Sequence, residues 1–186
     1  MSSEMNVESA VAGARSSAAQ QVIAANAAGS APLIEYISFA IGEDQYGVEI
    51  MSVREIKGWA GITHLPKQPE YVRGVLNLRG VMVPIIDLRC RFDQGTTEAT
   101  ALHIVIIVQI GSRLAGLLAD RVLDIVSIEA SNIQPVPHME NAQEAEFLSG
   151  LVTVDDALLA LIDLQNLLSV RDGLNPAQPA AGLPIH

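Results

Sequence analysis

The sequence predicts a mainly β protein made of two small barrels that arose by duplication. Three observations predict it. First, Gly74 to Leu88 (GVLNLRGVMVPIIDL) and Gly150 to Leu164 (GLVTVDDALLALIDL) align without a gap, each an apolar run, a two-residue polar break, a second apolar run and Ile-Asp-Leu. Second, Ile41, Gly42, Gly47, Val53, Glu55 and Ile56 recur 69 residues further on as Ile110, Gly111, Gly116, Val122, Asp124 and Ile125, whereas the first pair is offset by 76. One unit is therefore repeated, with about seven extra residues inside the second copy. Third, short apolar runs of period two separated by glycine-bearing turns fill both copies, as in small barrels rather than a doubly wound sheet.

The elements follow in order. Residues 1–32 are dominated by Ala, Ser, Gln and Asn, with too few large apolar residues to offset the entropy of ordering, and read as a flexible arm. In Glu35 to Ile41 the residues Ile37, Phe39 and Ile41 alternate with Tyr36, Ser38 and Ala40, a strand with one buried face. Gly42 to Gln45 reads as a hairpin loop, after which Tyr46, Val48 and Ile50 resume the alternation. Leu78 to Val81 is a second turn, in which Gly80 supplies a positive φ that Arg79 could adopt only at a cost. Pro84 removes a ladder donor, so its strand is expected at an edge or bulged. Leu102 to Ile110 is apolar on both faces, as a sandwiched strand would be. Helix is minor: Asp87 and Asp163 each precede a few helical residues and can cap the orphan amides of a first turn. Pro66 to Tyr71 reads as a further helical turn. Residues 171–186, with three prolines and two glycines, read as a flexible tail.

This leaves a compact region over 33–170, with one barrel over about 33–92 and the other over about 100–170, and a boundary open to strand exchange. A unit of roughly 60 residues buries little surface by itself, so the two copies should share apolar surface.

Composition bounds the function. Of 186 residues only 11 are Lys or Arg and the net charge is −10, so no basic stripe can neutralise phosphates; nucleic acid and anionic membrane surfaces are excluded as partners. A protein partner fits better. The single cysteine, Cys90, forms no internal disulfide, no apolar run is long enough to span a bilayer, and the start of the chain lacks the basic and apolar regions of a secretion signal. The expected compartment is the cytoplasm.

Catalytic, cofactor and metal sites find no support in the spacing. His64, His103, His138 and His186 show neither HxxxH nor HExxH spacing, Cys90 has no cysteine neighbour, and GxSxG, GxxxxGK[ST] and GxGxxG are missing. His103 reads as a packed, hydrogen-bonded histidine and Cys90 as an inert small residue, although Arg89 and Arg91 beside it could depress its thiol pKa. A small enzyme using the barrel seam, with Asp124, His103 or Cys90 as chemistry, is the rival class. Comparison of the copies singles out other residues. Asp87 and Asp163 are alike and read as caps. Glu55 and Asp124 are both acidic. Arg79 is replaced by Asp155, and Gly80 by Asp156, so the tip is built without arginine in one copy. An arginine at a rigid tip of an acidic protein is a candidate anchor for a partner, worth about 2 kcal/mol when buried. Trp59 reads as core filler. Aromatic residues, 4% of the chain, do not cluster as a proline-recognition surface needs.

With these residues in view, 33–170 resembles the CheW-domain family. The resemblance is carried by FAIGEDQYGVEIMSVREIKGW (Phe39 to Trp59), YVRGVLNLRGVMVPIIDLRCRF (Tyr71 to Phe92), AGLLADRVLDIVSI (Ala115 to Ile128) and FLSGLVTVDDALLALIDLQNLL. It implies two tandem SH3-like five-stranded β-barrels. It also implies a non-enzymatic adaptor that binds the cytoplasmic tip of chemoreceptors and the regulatory domain of the histidine kinase CheA, working at membrane-associated arrays through protein contacts. Val53, Glu55 and Ile56 resemble positions at a receptor-binding groove between the barrels. Gly74, Arg79 and Gly116 resemble positions whose alteration disturbs receptor or kinase binding, Gly116 with a role in backbone shape as the alternative. A related adaptor for surface motility would look the same. The arm has no counterpart in the resemblance, and no particular residue is expected at Trp59.

Overall fold

The computed structural model describes residues 31–137 and 143–169. The tail, His138, His186 and all of the arm before Ala31 lie outside them. The compact unit begins at Leu33. Its described residues form ten strands: β1 (Leu33–Ile41), β2 (Asp44–Glu49), β3 (Val53–Gly58), β4 (Val72–Leu78), β5 (Val81–Asp87), β6 (Ile104–Ile110), β7 (Arg113–Ala119), β8 (Arg121–Glu129), β9 (Leu148–Val154) and β10 (Ala157–Ile162). Two one-turn helices, α1 (Leu88–Arg91) and α2 (Leu164–Leu167), follow Asp87 and Asp163, whose carboxylates accept from the amides of Cys90 and Asn166.

The strands make two five-stranded sheets, β8-β1-β2-β10-β9 and β3-β6-β7-β5-β4, hereafter the first and second sheet. Exchanging each strand for its repeat (β1 for β6, β2 for β7, β3 for β8, β4 for β9, β5 for β10) turns one order into the other. Each sheet therefore holds strands of both copies. The division between about 92 and 100 separates the copies in sequence, not the sheets: hairpin β1–β2 sits among second-copy strands and hairpin β6–β7 among first-copy strands. The chain passes between sheets at Ile50–Ser52, a 3-10 turn, and at Asp120.

Register preserves the duplication residue by residue. Ile37 faces Val48 as Ile106 faces Leu117, and Ile37 faces Ile125 as Ile106 faces Ile56. Even the bulges match: the ladder skips Leu123 and Arg54 at one equivalent place, and Arg73 and Ser149 at another. Single bridges, Thr63 to Val75 and Gln134 to Leu151, bring a segment after β3 and one after β8 against the far edges of their own sheets. A one-residue slip would turn the buried face of any strand outward, and this is why the pairing is so strongly specified.

The core has three parts. A central cluster between the sheets draws on both copies, with Phe39, Val48, Leu88, Ile106, Val108, Leu117 and Leu167 fully buried. A smaller cluster lies within each sheet, around Ile85 and Ile107 in the second and around Leu159 and Leu161 in the first. Trp59 packs against the former, as core filler should. The shared cluster supplies the burial that one unit lacks, since each large side chain removed from water contributes about 1.5–3 kcal/mol. Arg91 adds a further tie across the copies, its guanidinium 4.1 Å from the ring centre of Tyr71 and 4.3 Å from that of Phe147.

Four local expectations need correction. The strand expected from Leu102 starts at Ile104, and Leu102 is 87% exposed in the preceding turn. Pro66 to Tyr71 forms turns and extended chain, not helix. Arg79 does adopt a positive φ, 50°, followed by Gly80 at 89°, just as Asp155 and Asp156 stand at 48° and 65°. A two-residue hairpin whose twist matches its strands needs both residues left-handed, and the side chain of Asn77 helps by accepting from the Gly80 amide at 2.8 Å. Pro84 is in an interior strand, but β7 pairs with β5 only from Ile85 onward, so at Pro84 the missing donor faces no second neighbour.

Candidate functional site

Four of the six candidate residues lie at or near the surface of the second sheet. Val53, Glu55 and Ile56 lie on its edge strand β3, where Val53 packs against the central core, Glu55 is half-buried and Ile56 is 41% exposed. Arg79, at the β4–β5 tip, reaches β3: its Nη2 is 3.6 Å from Glu55 Oε2. The arginine side chain is 82% exposed and the glutamate 26%, so solvent screens the pair and it contributes no more than about 1 kcal/mol to stability. Both groups are thus at little cost available to a partner. Exposed apolar side chains accompany them, Val81 and Met82 at the start of β5.

Gly74 and Gly116 are placed differently, buried on β4 and β7. A Cβ on Gly116 would lie 2.5 Å from Ile85 Cδ1 and 2.7 Å from Val105 Cγ1. At Gly74 it would lie 2.3 Å from the carbonyl oxygen of Thr63, and φ there is 141°. Both glycines are buried, and both belong to the row that crosses the sheet from Glu55 through Ile107, Gly116 and Ile85 to Gly74. A side chain at either glycine would displace the row that ends at Glu55. The equivalent row in the first sheet is Asp124, Ser38, Gly47, Leu161 and Gly150.

Two clusters escaped sequence reasoning. Asp87 does more than cap: fully buried, it accepts from the Thr97 amide and hydroxyl at 2.8 and 2.7 Å and pairs with Arg73 at 3.2 Å. Asp120, at the second crossover, accepts from the Gly42 amide at 2.7 Å and from Arg89 at 2.8 Å, with His103 Nε2 at 3.5 Å. Burial alone would raise the Asp120 carboxyl, but Gly42 and Arg89 outweigh it and hold it below the usual range. His103 Nδ1 accepts from the Thr100 amide, so the ring is packed and hydrogen-bonded, as read from the sequence. Burial first, then the Asp87 and Glu70 carboxylates, push the Cys90 thiol up, away from the thiolate. The available signal was the difference between copies, since Arg73 and Arg89 align with Ser149 and Gln165.

The fold and surface have relatives. A sequence model of the CheW-like domain matches residues 35–172. The chain is 38% identical to the chemotaxis protein CheW of Rhizobium meliloti over 72% of this chain and 86% of that one, and 37% identical to that of Klebsiella aerogenes over 74% and 83%. Protein FrzA of Myxococcus xanthus is 32% identical over 83% of this chain and 94% of its own length. The crystal structure of the scaffolding protein TtCheW from Thermoanaerobacter tengcongensis superimposes with a TM-score of 0.69 at 32% identity, covering 76% of this chain and 91% of that one. The chain belongs to the CheW-like domain family.

Proposed function

We propose that this protein is a non-enzymatic coupling adaptor of bacterial chemotaxis, joining the cytoplasmic tip of chemoreceptors to the regulatory domain of a CheA-type histidine kinase. The observation that carries this reading is the meeting of Glu55 and Arg79 at the surface, on a scaffold whose other copy builds the same tip with Asp155 and Asp156. Fold alone does not require an arginine there, so its presence points to recognition. Coupling then follows from shared occupancy: a receptor biases the kinase when the two favour particular arrangements of the contacted surfaces. No helix among the described residues is long and apolar enough to cross a membrane. The adaptor reading places the protein in the cytoplasm, held at the membrane by its receptors.

Pull-down by the purified chain of a kinase regulatory domain and of a receptor cytoplasmic fragment from the same organism tests this. Both should be retained, Arg79→Glu should weaken one of them strongly with the fold intact, and Glu55→Lys should impair the receptor. Retention of neither partner would refute the adaptor reading. A second reading, an adaptor for a chemosensory pathway with a non-flagellar output such as surface motility, is favoured by the likeness to FrzA, a relative not named for chemotaxis. Swimming and surface spreading of a deletion strain, compared side by side, separate the two.

A further inference from the structure

The duplication relates two recesses at the seam of the sheets, and the described residues fill only one of them. The filled one is closed by arginine. Arg73 pairs with buried Asp87 and donates to the Thr97 carbonyl at 2.9 Å, while Arg89 spans from α1 to Asp120 and passes beside Gly42. The connector from Asp93 to His103 is thereby fastened over the recess at Thr97 and His103. At the equivalent positions of the other recess, Ser149 stands for Arg73, Gln165 for Arg89, Asp163 for Asp87, Met51 for Asp120 and Gly111 for Gly42. Among the described residues this recess is open, with a volume of about 570 Å³, and its walls come from both sheets.

Its chemistry is that of the filled recess without the cations. Among the described residues the Asp163 carboxylate accepts only from Asn166, at the amide and the side-chain nitrogen, and no Lys or Arg pairs with it. Glu49 lines the same cavity where the filled recess has buried Leu118, and Tyr36 stands where that recess has Val105. The open recess thus carries two carboxylates in a chain of net charge −10. We infer that it is a docking site for an arginine-bearing segment of a protein partner, seated on Asp163 and Glu49 as Arg73 and Thr97 are seated on Asp87. The inference rests on the adaptor reading only in taking the occupant to be a protein. Arginine fits better than lysine because a planar fork satisfies a carboxylate with two parallel bonds while reaching a neighbouring carbonyl, as Arg73 does.

The probe is a blocked five-residue peptide containing Arg-Thr, beside the same peptide with neutral citrulline for arginine, titrated into the ¹⁵N-labelled full chain. Amide resonances of Ser52, Gly111, Ser149 and Gln165 should move with the arginine peptide, and citrulline should weaken binding about fivefold or more by removing a charge-assisted pair. Ser149→Arg, which copies Arg73 at an exposed position, should fill the recess from within and abolish the shifts while the chain stays folded. Asp163→Asn, which keeps a cap, should erase the preference for arginine over citrulline. Absence of shifts in the unaltered chain, equal response to both peptides, or undiminished binding in folded Ser149→Arg would each overturn the inference. Failure here with both partners retained in the pull-down spares the adaptor reading, and binding of the arginine peptide with neither partner retained does the reverse.

Discussion

Asp87 at the end of β5 and Asp163 just after β10 cap equivalent one-turn helices and align in the sequence, yet only Asp87 is sealed from water. Asp87 is fully buried and its carboxylate meets Arg73, the Thr97 amide and hydroxyl, and the Cys90 amide; Asp163 is half-buried, and among the described residues its carboxylate meets only Asn166. The same contrast separates Asp120, held by Gly42, Arg89 and His103, from Met51, 80% exposed at the equivalent crossover. Duplication supplied two identical frames. One seam was then locked by ion pairs with the connector laid over it, and the other stands open among the described residues. Local geometry common to both copies belongs to the fold, and the departures mark where the molecule is either closed or offered to a partner.

The sharpest way to break the comparison is to remove both aspartates in turn. Asp87→Ala leaves a half-buried guanidinium and three donors without their acceptor and should cost about 3–5 kcal/mol, against about 1 kcal/mol for Asp163→Ala, which loses a cap. Urea denaturation of the two variants measures the difference. Equal costs would mean that the seams are not different in kind.

A second contrast lies at the parallel pairings. Gly116 admits no Cβ without moving Ile85 and Val105, whereas at Gly47 the nearest atom is Leu161 Cδ2, at 3.1 Å. Gly116→Ala should therefore lose about 1–3 kcal/mol and Gly47→Ala less than about 1 kcal/mol. Circular dichroism melts rank them.

The Asp120 knot has a pH signature. Its folded carboxyl lies below the ordinary value of 3.8, so the unfolded chain takes up the proton first. The stabilisation is full above that value and disappears as pH falls through the lowered folded one. Arg89→Gln, which copies Gln165, should flatten the acid limb of stability as pH falls from the ordinary carboxyl value of 3.8 through the lowered folded one. An unchanged acid limb would show that Arg89 does not hold Asp120 down. The smallest effect belongs to Glu55→Gln, at most about 0.5 kcal/mol on stability, because its ion pair is screened by solvent.

Much of this was legible in the sequence. The offsets of 69 and 76 residues revealed the duplication, and the structure carries it into the register, where Leu161 on Gly47 matches Ile85 on Gly116, because period-two burial allows no slip. The caps were legible because an aspartate before a helical turn has one strong local use. Strand exchange was left open, since a repeat specifies which edges pair and is silent on which copy supplies them. The sealed seam was missed for a different reason. The arginines that close it, Arg73 and Arg89, look like surface residues until the fold brings Asp87 and Asp120 to them over 14 and 31 residues. Of the site, Glu55, Ile56 and Arg79 were found as surface residues, while the burial of Gly74 and Gly116 emerged only from the close approach of Thr63 and Ile85.

The central claim is that positions equivalent in fold but different in residue carry recognition. Arg79→Asp tests it most directly, because it installs the residue that Asp155 already holds at the same backbone angles. Calorimetric titration of this variant with the kinase regulatory domain and with the receptor fragment, beside its urea midpoint, gives the answer. The account predicts stability within about 0.5 kcal/mol of the unaltered chain and a loss of about thirtyfold in affinity for at least one partner. Unchanged affinity for both would contradict it.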